Sequence, residues 1–468
     1  MALMMFLATF VQGFGRVLKD AMVLSHADAE TLSAIKVWIV WPCSVLFILS
    51  YMKCSDLASR SSVYHGFNMF FIICFACFLW GYPYYDQLKL HFSHTLWAQQ
   101  HSYLRYILTA IDEWPSSLFY MIAEMWTSIV AIVLTWEVAN HITTLEQSRR
   151  FYSLYNMFRS LGIMTASFWA AQEASKNVSW EHTFTTSICL MLFAAMLLSI
   201  MLMVLCRLVG FDHLNEGTSR SVTKKERRKV PLIESVKRVL SSKTVLLITA
   251  MILCFGISIN LMEGVWKKAV ELFYHGQGNE IQSFIGHTNF LTASIGIILG
   301  VLATYFIQNA GWRVTALVTP ICMFVTGLPF FIGMTSGGAV WHGWSAIKLA
   351  AYSGAGTVII ARAVKVSFFD TIKEMAYIPL EAELRSKGKA AADTIGERFG
   401  KGGGAVIQQL MLAVFSGATL IDLSPYLLGA CLFIILPLWG FVVFYLDRTH
   451  GKIIDKIDDE INKIETNA

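Results

Sequence analysis

Five short strings place ionisable or amide side chains inside runs that are otherwise apolar. Gln12, Arg16 and Lys19 stand at i, i+4 and i+7, so they share one helical face, with Asp20 beside it. Tyr120, Glu124 and Ser128 repeat at four-residue steps, and Asn260, Glu263 and Lys267 follow an i, i+3, i+7 rhythm. Tyr155, Asn156 and Arg159 form a shorter polar group, while Lys389, Asp393, Glu397 and Lys401 run at four-residue steps into Gly402, Gly403 and Gly404. These residue types suit a multiply charged anion, because Arg offers a planar fork and Lys a point charge, both used for phosphate. Glu124 and Glu263 would pair the cations in the empty state, so an arriving anion must compete with carboxylate for lysine.

Blander roles fit some of these groups. Lys19 and Glu263 also fit a purely structural ion pair. Arg159 and Lys267 fit side chains that snorkel to an interface, and the ladder from Lys389 to Lys401 fits i, i+4 pairing on a half-exposed helix end. Gly400-Lys401-Gly402 lacks the G-x-x-x-x-G-K-[ST] spacing of a phosphate-binding loop, so its glycines are read as sites of close helix packing or backbone approach to a ligand. Cys74-x-x-Cys77 is the closely spaced pair among nine cysteines that lie almost wholly in apolar runs. Buried cysteine behaves as a small hydrophobe, so neither a disulfide framework nor a metal site is expected. No metal-ligand spacing and no nucleophile with a base falls on a shared face, which argues against an intramembrane enzyme.

The elements that carry these groups are membrane spans. Of the 468 residues, 55% are hydrophobic and 15% charged, against roughly one-quarter charged in ordinary globular chains. Apolar runs of about 20 residues recur, the length that crosses about 30 Å of hydrocarbon as a helix. Twelve spans are expected, near 1–25, 32–52, 62–82, 116–136, 152–172 and 183–208, then 244–265, 285–307, 314–334, 341–364, 390–415 and 425–445. The first lacks the basic start and cleavage site of a secretory signal and is read as a mature span. Two amphipathic segments, Leu104 to Ile111 and Leu232 to Leu240, are expected to lie in the interface.

A charge at mid-membrane costs at least about 2.5–3.5 kcal/mol, so each needs a partner or a wet cavity. That cost is why the five strings stand out. Lys53, Arg60, Arg149, Arg150, the basic run from Lys224 to Lys229, Arg313, Lys387, Lys389 and Arg448 fall on one side, which predicts a cytoplasmic face there with both termini on it. The basic run beside a span is a topological anchor rather than a nucleic-acid patch.

Arg150 to Arg159 and Lys389 to Arg398 share one interval, each pair straddling the start of the fifth span of its half. The expected fold is therefore an all-α membrane protein with twelve transmembrane helices in two six-helix halves, major-facilitator-like. The halves are 1–210 and 244–446, with a basic linker at 211–243 and a charged tail at 447–468. Spans 1, 4 and 7 face inward by fold analogy, and the halves would rock about a filled site.

Several strings resemble the bacterial and plastid ATP/ADP translocases, the nucleotide transport proteins of obligate intracellular bacteria. They are Arg16-Val17-Leu18-Lys19-Asp20, Ile122-Ala123-Glu124-Met125-Trp126, Arg149-Arg150-Phe151-Tyr152, the run from Gly256 to Lys267, the run from Phe369 to Leu380, and Lys387-Gly388-Lys389-Ala390-Ala391. The resemblance spans nearly the whole chain and is densest from Ile257 to Gln409. It implies exchange of host ATP for ADP with phosphate, and for some members net import of several nucleoside triphosphates with protons. It also implies that Lys19, Glu124, Glu263 and Lys401 are charged positions needed for transport. Val17 replaces the acidic residue that usually follows the first-span arginine, and Ser25-His26-Ala27-Asp28-Ala29 replaces a T-A-P-G-S-G-like turn. Both departures bear on base preference and on exchange against net import.

The resulting expectation is a nucleotide carrier of a bacterial inner membrane, monomeric and lipid-embedded, needing no cofactor or metal and binding no nucleic acid. Its substrate set is Arg16, Lys19, Glu124, Asn156, Arg159, Asn260, Glu263, Lys267, Asp393 and Lys401. Arg16, Lys19 and Lys401 draw the phosphates, and Asn156 and Asn260 reach the base or ribose. Proton-coupled import of nucleoside triphosphates is the alternative, and a carrier for NAD or another organic phosphate is a further rival.

Overall fold

A computed structural model describes residues 1–92, 101–143, 145–176, 178–209, 242–335, 345–378, 380 and 389–449. Helix is the expected answer to a lipid environment, where every backbone N–H and C=O must be satisfied within its own segment. Ten helices among the described residues are long and apolar enough to span a membrane: α1 (Ala2–His26), α2 (Ala29–Ser55), α3 (Arg60–Leu88), α4 (Trp114–Ile142), α6 (Trp180–Leu208), α7 (Lys243–Phe273), α8 (Gly278–Ile307), α9 (Asn309–Thr335), α10 (Ala346–Ala376) and α12 (Ser424–Thr449). The fifth and eleventh expected spans are helices too, α5 (Leu145–Ala174, 30 residues) and α11 (Lys389–Val414, 26 residues). Polar and charged residues keep them out of the apolar set, since α5 carries Arg149, Arg150, Asn156, Arg159 and Glu173 and α11 carries Lys389, Asp393, Glu397, Arg398 and Lys401.

Ends are set by local chemistry. Ser59 Oγ accepts from Ser62 N at the start of α3, and Ser345 Oγ accepts from Lys348 N at the start of α10. Pro115 and Pro425 stand in the first turns of α4 and α12, where a missing N–H costs nothing. Gly311, with φ of +77°, breaks the helix early in α9. Of the two interfacial segments, the first forms a short helix, Arg105–Asp112, and the second lies outside the described residues.

The chain clusters into two units, one of Met1–Arg227, Val270–Ser294 and Leu412–Gly417, the other of Arg228–Ala269, Ile295–Met411 and Ala418–Ala468. In the first, α1 packs against α4, α5 and α6. A Cβ built at Gly13 falls 2.7 Å from Ala166 Cβ, and one at Gly162 falls 2.5 Å from Phe6 O, so glycine is what lets α1 and α5 touch. Trp126 Nε1 donates to Ala8 O at 3.1 Å and ties α4 to α1. The last turn of α7 and the first turns of α8 belong to this unit: Glu271 Oε2 accepts from Ala29 N at 2.6 Å, and Gln282 Nε2 donates to Ala170 O at 3.0 Å.

In the second unit α7 lies against α10 and α11. Cβ atoms built at Gly400 and Gly404 fall 3.1 Å from Gly256 Cα and 2.5 Å from Asn260 Cβ. Gln408 Nε2 donates to Asn260 O at 2.9 Å, and Trp266 Nε1 donates to Ala351 O at 3.0 Å. Burial separates central from peripheral helices: 72% of the apolar window is buried in α1 and in α7, but 6% in α8 and 22% in α2. Helices such as α2 and α8 turn large apolar groups outward, Val301 at 74% exposure among them, as a lipid-facing surface requires.

Candidate functional site

The first unit builds its charged group on α1 and α4. Lys19 is 7% exposed. Its ammonium bonds the Glu124 carboxylate and sits 4.2 Å from the centroid of the Tyr120 ring, one turn earlier on α4. The ring face and the carboxylate together replace water around the cation. Glu124 keeps 31% of its side-chain surface exposed, so the pair is reachable at its carboxylate end. Gln12 and Asp20 are buried and Arg16 is half-buried. Gln12, Arg16 and Lys19 all lie on α1.

On α5, Arg159 Nη1 donates to Asn156 Oδ1 at 3.4 Å, and its guanidinium lies 5.6 Å from the Trp136 ring. Thr9 Oγ1 donates to Arg159 O at 3.0 Å, which fixes this part of α5 against α1. Asn156 is exposed and Arg159 half-buried.

The second unit contains a pair that sequence reasoning missed. Arg362 on α10 donates to Glu263 Oε1 from Nε at 2.9 Å, and Nη2 lies 2.8 Å from the same oxygen. The two side chains are 22% and 13% exposed. Glu263 thus has a cation partner on α10. An arginine inside an apolar run was the available signal, but Arg362 stands near the end of the run expected at 341–364, where snorkelling explains it equally well.

Lys267 follows one turn after Glu263 and is 3% exposed, and neighbouring Lys268 is 5% exposed. Asn260 Nδ2 donates to Gly256 O at 3.0 Å, one turn back on its own helix. Asp393 and Lys401 stand on α11, and their side chains lie outside the described residues. The glycines around Lys401 serve close packing, with Gly400 and Gly404 set against α7.

Both α4 and α10 carry a π-helical segment, as α2 (at Ile35–Val40) and α12 (at Cys431–Ile435) also do. A π-helical segment begins at Thr127, three residues after Glu124, and another at Lys365, three residues after Arg362. Such wide turns recur at functional sites because they rotate the following residues relative to a regular helix. The two units thus use one device with reversed charge. The cation is on α1 and the anion on α4 in the first, the anion on α7 and the cation on α10 in the second.

Among the described residues no group of three or more His, Cys, Asp or Glu could hold a metal ion. Cys74 and Cys77 are free thiols, half-buried and exposed. Chemically, the arrangement can bind and release anionic groups. A phosphate would offer Lys19 and Arg362 a more highly charged partner than the carboxylates they hold.

Comparison with known proteins agrees. A family model described as TLC ATP/ADP transporter matches residues 1–450. ADP,ATP carrier protein 1 of Rickettsia typhi is 30% identical over 471 residues, covering 97% of this chain and 93% of that one. ADP,ATP carrier protein 4 of Rickettsia bellii is 32% identical over 470 residues, covering 97% and 90%. Among solved structures, a bacterial homologue of the iron transporter ferroportin in its inward-facing state matches with a TM-score of 0.62 at 15% identity, over 94% of this chain and 96% of that one. The nucleoside transporter NupG matches with a TM-score of 0.55 at 11% identity, over 95% and 99%. At such identities these structures speak for the fold alone, which is major-facilitator-like, as the sequence led us to expect.

Proposed function

We propose that this chain, which belongs to the TLC ATP/ADP transporter family, exchanges ATP for ADP across a bacterial inner membrane by alternating access, with phosphate as a further substrate. The observation that carries this reading is the part-buried pairing of Lys19 with Glu124 and of Glu263 with Arg362. Ions inside lipid-spanning helices are expensive, and a pair that a polyphosphate can break turns that expense into coupling. Nucleotide phosphates displace the carboxylates from Lys19 and Arg362, with Arg16, Arg159, Lys267 and Lys401 adding positive field. Without nucleotide the pairs re-form and hold the carrier still.

The chain does no chemistry on its substrate and returns it unchanged. It works as a monomer in lipid, with both termini in the cytoplasm, as the one-sided distribution of Lys and Arg supports. The test is uptake of labelled ATP into liposomes loaded with ADP, in the presence of a protonophore. Uptake is expected to persist, one ADP leaving for each ATP entering. Collapse of uptake would replace exchange by proton-coupled import of nucleoside triphosphates.

A further inference from the structure

We infer that Gln12 reads the nucleobase, its carboxamide hydrogen-bonding the edge of the adenine ring while Lys19 engages the phosphates; this rests on the nucleotide-exchange reading above. Gln12 is 4% exposed, and among the described residues its buried Oε1 has no hydrogen-bond partner. A buried acceptor left unmatched destabilises the empty protein, so a ligand group that donates to it gains affinity.

A backbone carbonyl cannot satisfy that oxygen, because both are acceptors; only a donor can. Of the other amides on polar faces, Asn156 Oδ1 already accepts from Arg159. Gln12 is left with its acceptor to satisfy.

Its position fits a base rather than a phosphate. Gln12 lies two turns before Lys19 on the same face, about 10.5 Å along the axis at 1.5 Å per residue. A nucleotide lying along α1 with its phosphates at Lys19 brings its base toward Gln12. Glutamine matches adenine in particular, accepting from the N6 amine and donating to N7 at once. Gln12 is buried to nearly the same degree as Lys19, at 4% against 7%, so a ligand that reaches one is within reach of a site as sheltered as the other.

The test compares wild type with Gln12→Leu in ADP-loaded liposomes, using ATP, inosine triphosphate, whose ring carries oxygen in place of the N6 amine, and inorganic tripolyphosphate as a base-free inhibitor. Wild type is expected to prefer ATP over inosine triphosphate. In Gln12→Leu the KM for ATP is expected to rise about tenfold, equivalent to about 1.4 kcal/mol, with kcat nearly unchanged. The preference for ATP should be lost, while inhibition by tripolyphosphate stays as in wild type. An unchanged ATP preference in the variant, or no preference in wild type, overturns the assignment. Equal weakening of tripolyphosphate inhibition also overturns it, because general damage to the site would move both readouts. Absence of any ATP exchange by wild type removes the exchange reading itself, and the role of Gln12 falls with it.

Discussion

Lys19 is held by three things at once: the Glu124 carboxylate, the Tyr120 ring and near-complete burial. Removing one member of a buried pair typically costs about 3–5 kcal/mol when the other is sealed in. Glu124 retains 31% side-chain exposure, so it can hydrate when orphaned and the fold should tolerate the loss. Lys19→Ala is therefore expected to leave a monodisperse purified protein yet lower labelled ATP uptake by about a hundredfold or more, as for loss of a buried charge contact. Glu263→Gln should behave alike, since it strips Arg362 of its counter-charge. Normal uptake by both variants, measured in ADP-loaded liposomes, would discard the role given to the pairs. Lys19, Glu124 and Glu263 were legible from sequence because a charge deep in an apolar run is costly wherever the helix points. Arg362 was not, because it stands near the end of its apolar run, where a side chain that snorkels to the interface explains it equally well. Nor was the turning back of Asn260 onto Gly256, which depends on a rotamer that the sequence does not state.

The helices were read from runs of apolar residues, and that signal is strong because the length needed to cross lipid is fixed. Among the described residues ten spans meet the length and apolarity needed to cross a membrane, while α5 and α11, expected on the same signal, carry more polar and charged residues. The π-helical segments after Glu124 and Arg362 left no readable trace, since one extra residue per turn does not change composition. Glycine placement was half legible: the run Gly402-Gly403-Gly404 drew attention, but which face meets α7 follows from packing. Gly404→Ala would put a methyl 2.5 Å from Asn260 Cβ and push α7 from α11. Overpacking of this kind costs about 1–3 kcal/mol, and a lower melting temperature in detergent is expected. Gly300→Ala on α8 meets nothing within 4 Å and should leave the melting temperature level or slightly raised. Equal melting temperatures for the two variants would contradict the close packing of α7 on α11.

Across the whole molecule, the Lys19–Glu124 pair of the first unit and the Glu263–Arg362 pair of the second have opposite polarity, and a competing anion is what would open them. The sequence carried the family and the class of fold, because its apolar runs and charged strings persist over most of the chain. It did not carry the reversed polarity of the two pairs, which appears only when α10 is seen beside α7. If intact pairs immobilise the empty carrier, transport must be strictly coupled: nucleotide leaves only when nucleotide arrives. The direct measurement is efflux of labelled ADP from loaded liposomes, with and without ATP outside. The expected result is retention of the label in plain buffer and rapid release on adding ATP. Equal release in both conditions would mean that the empty protein reorients freely and that the buried pairs do not govern the cycle.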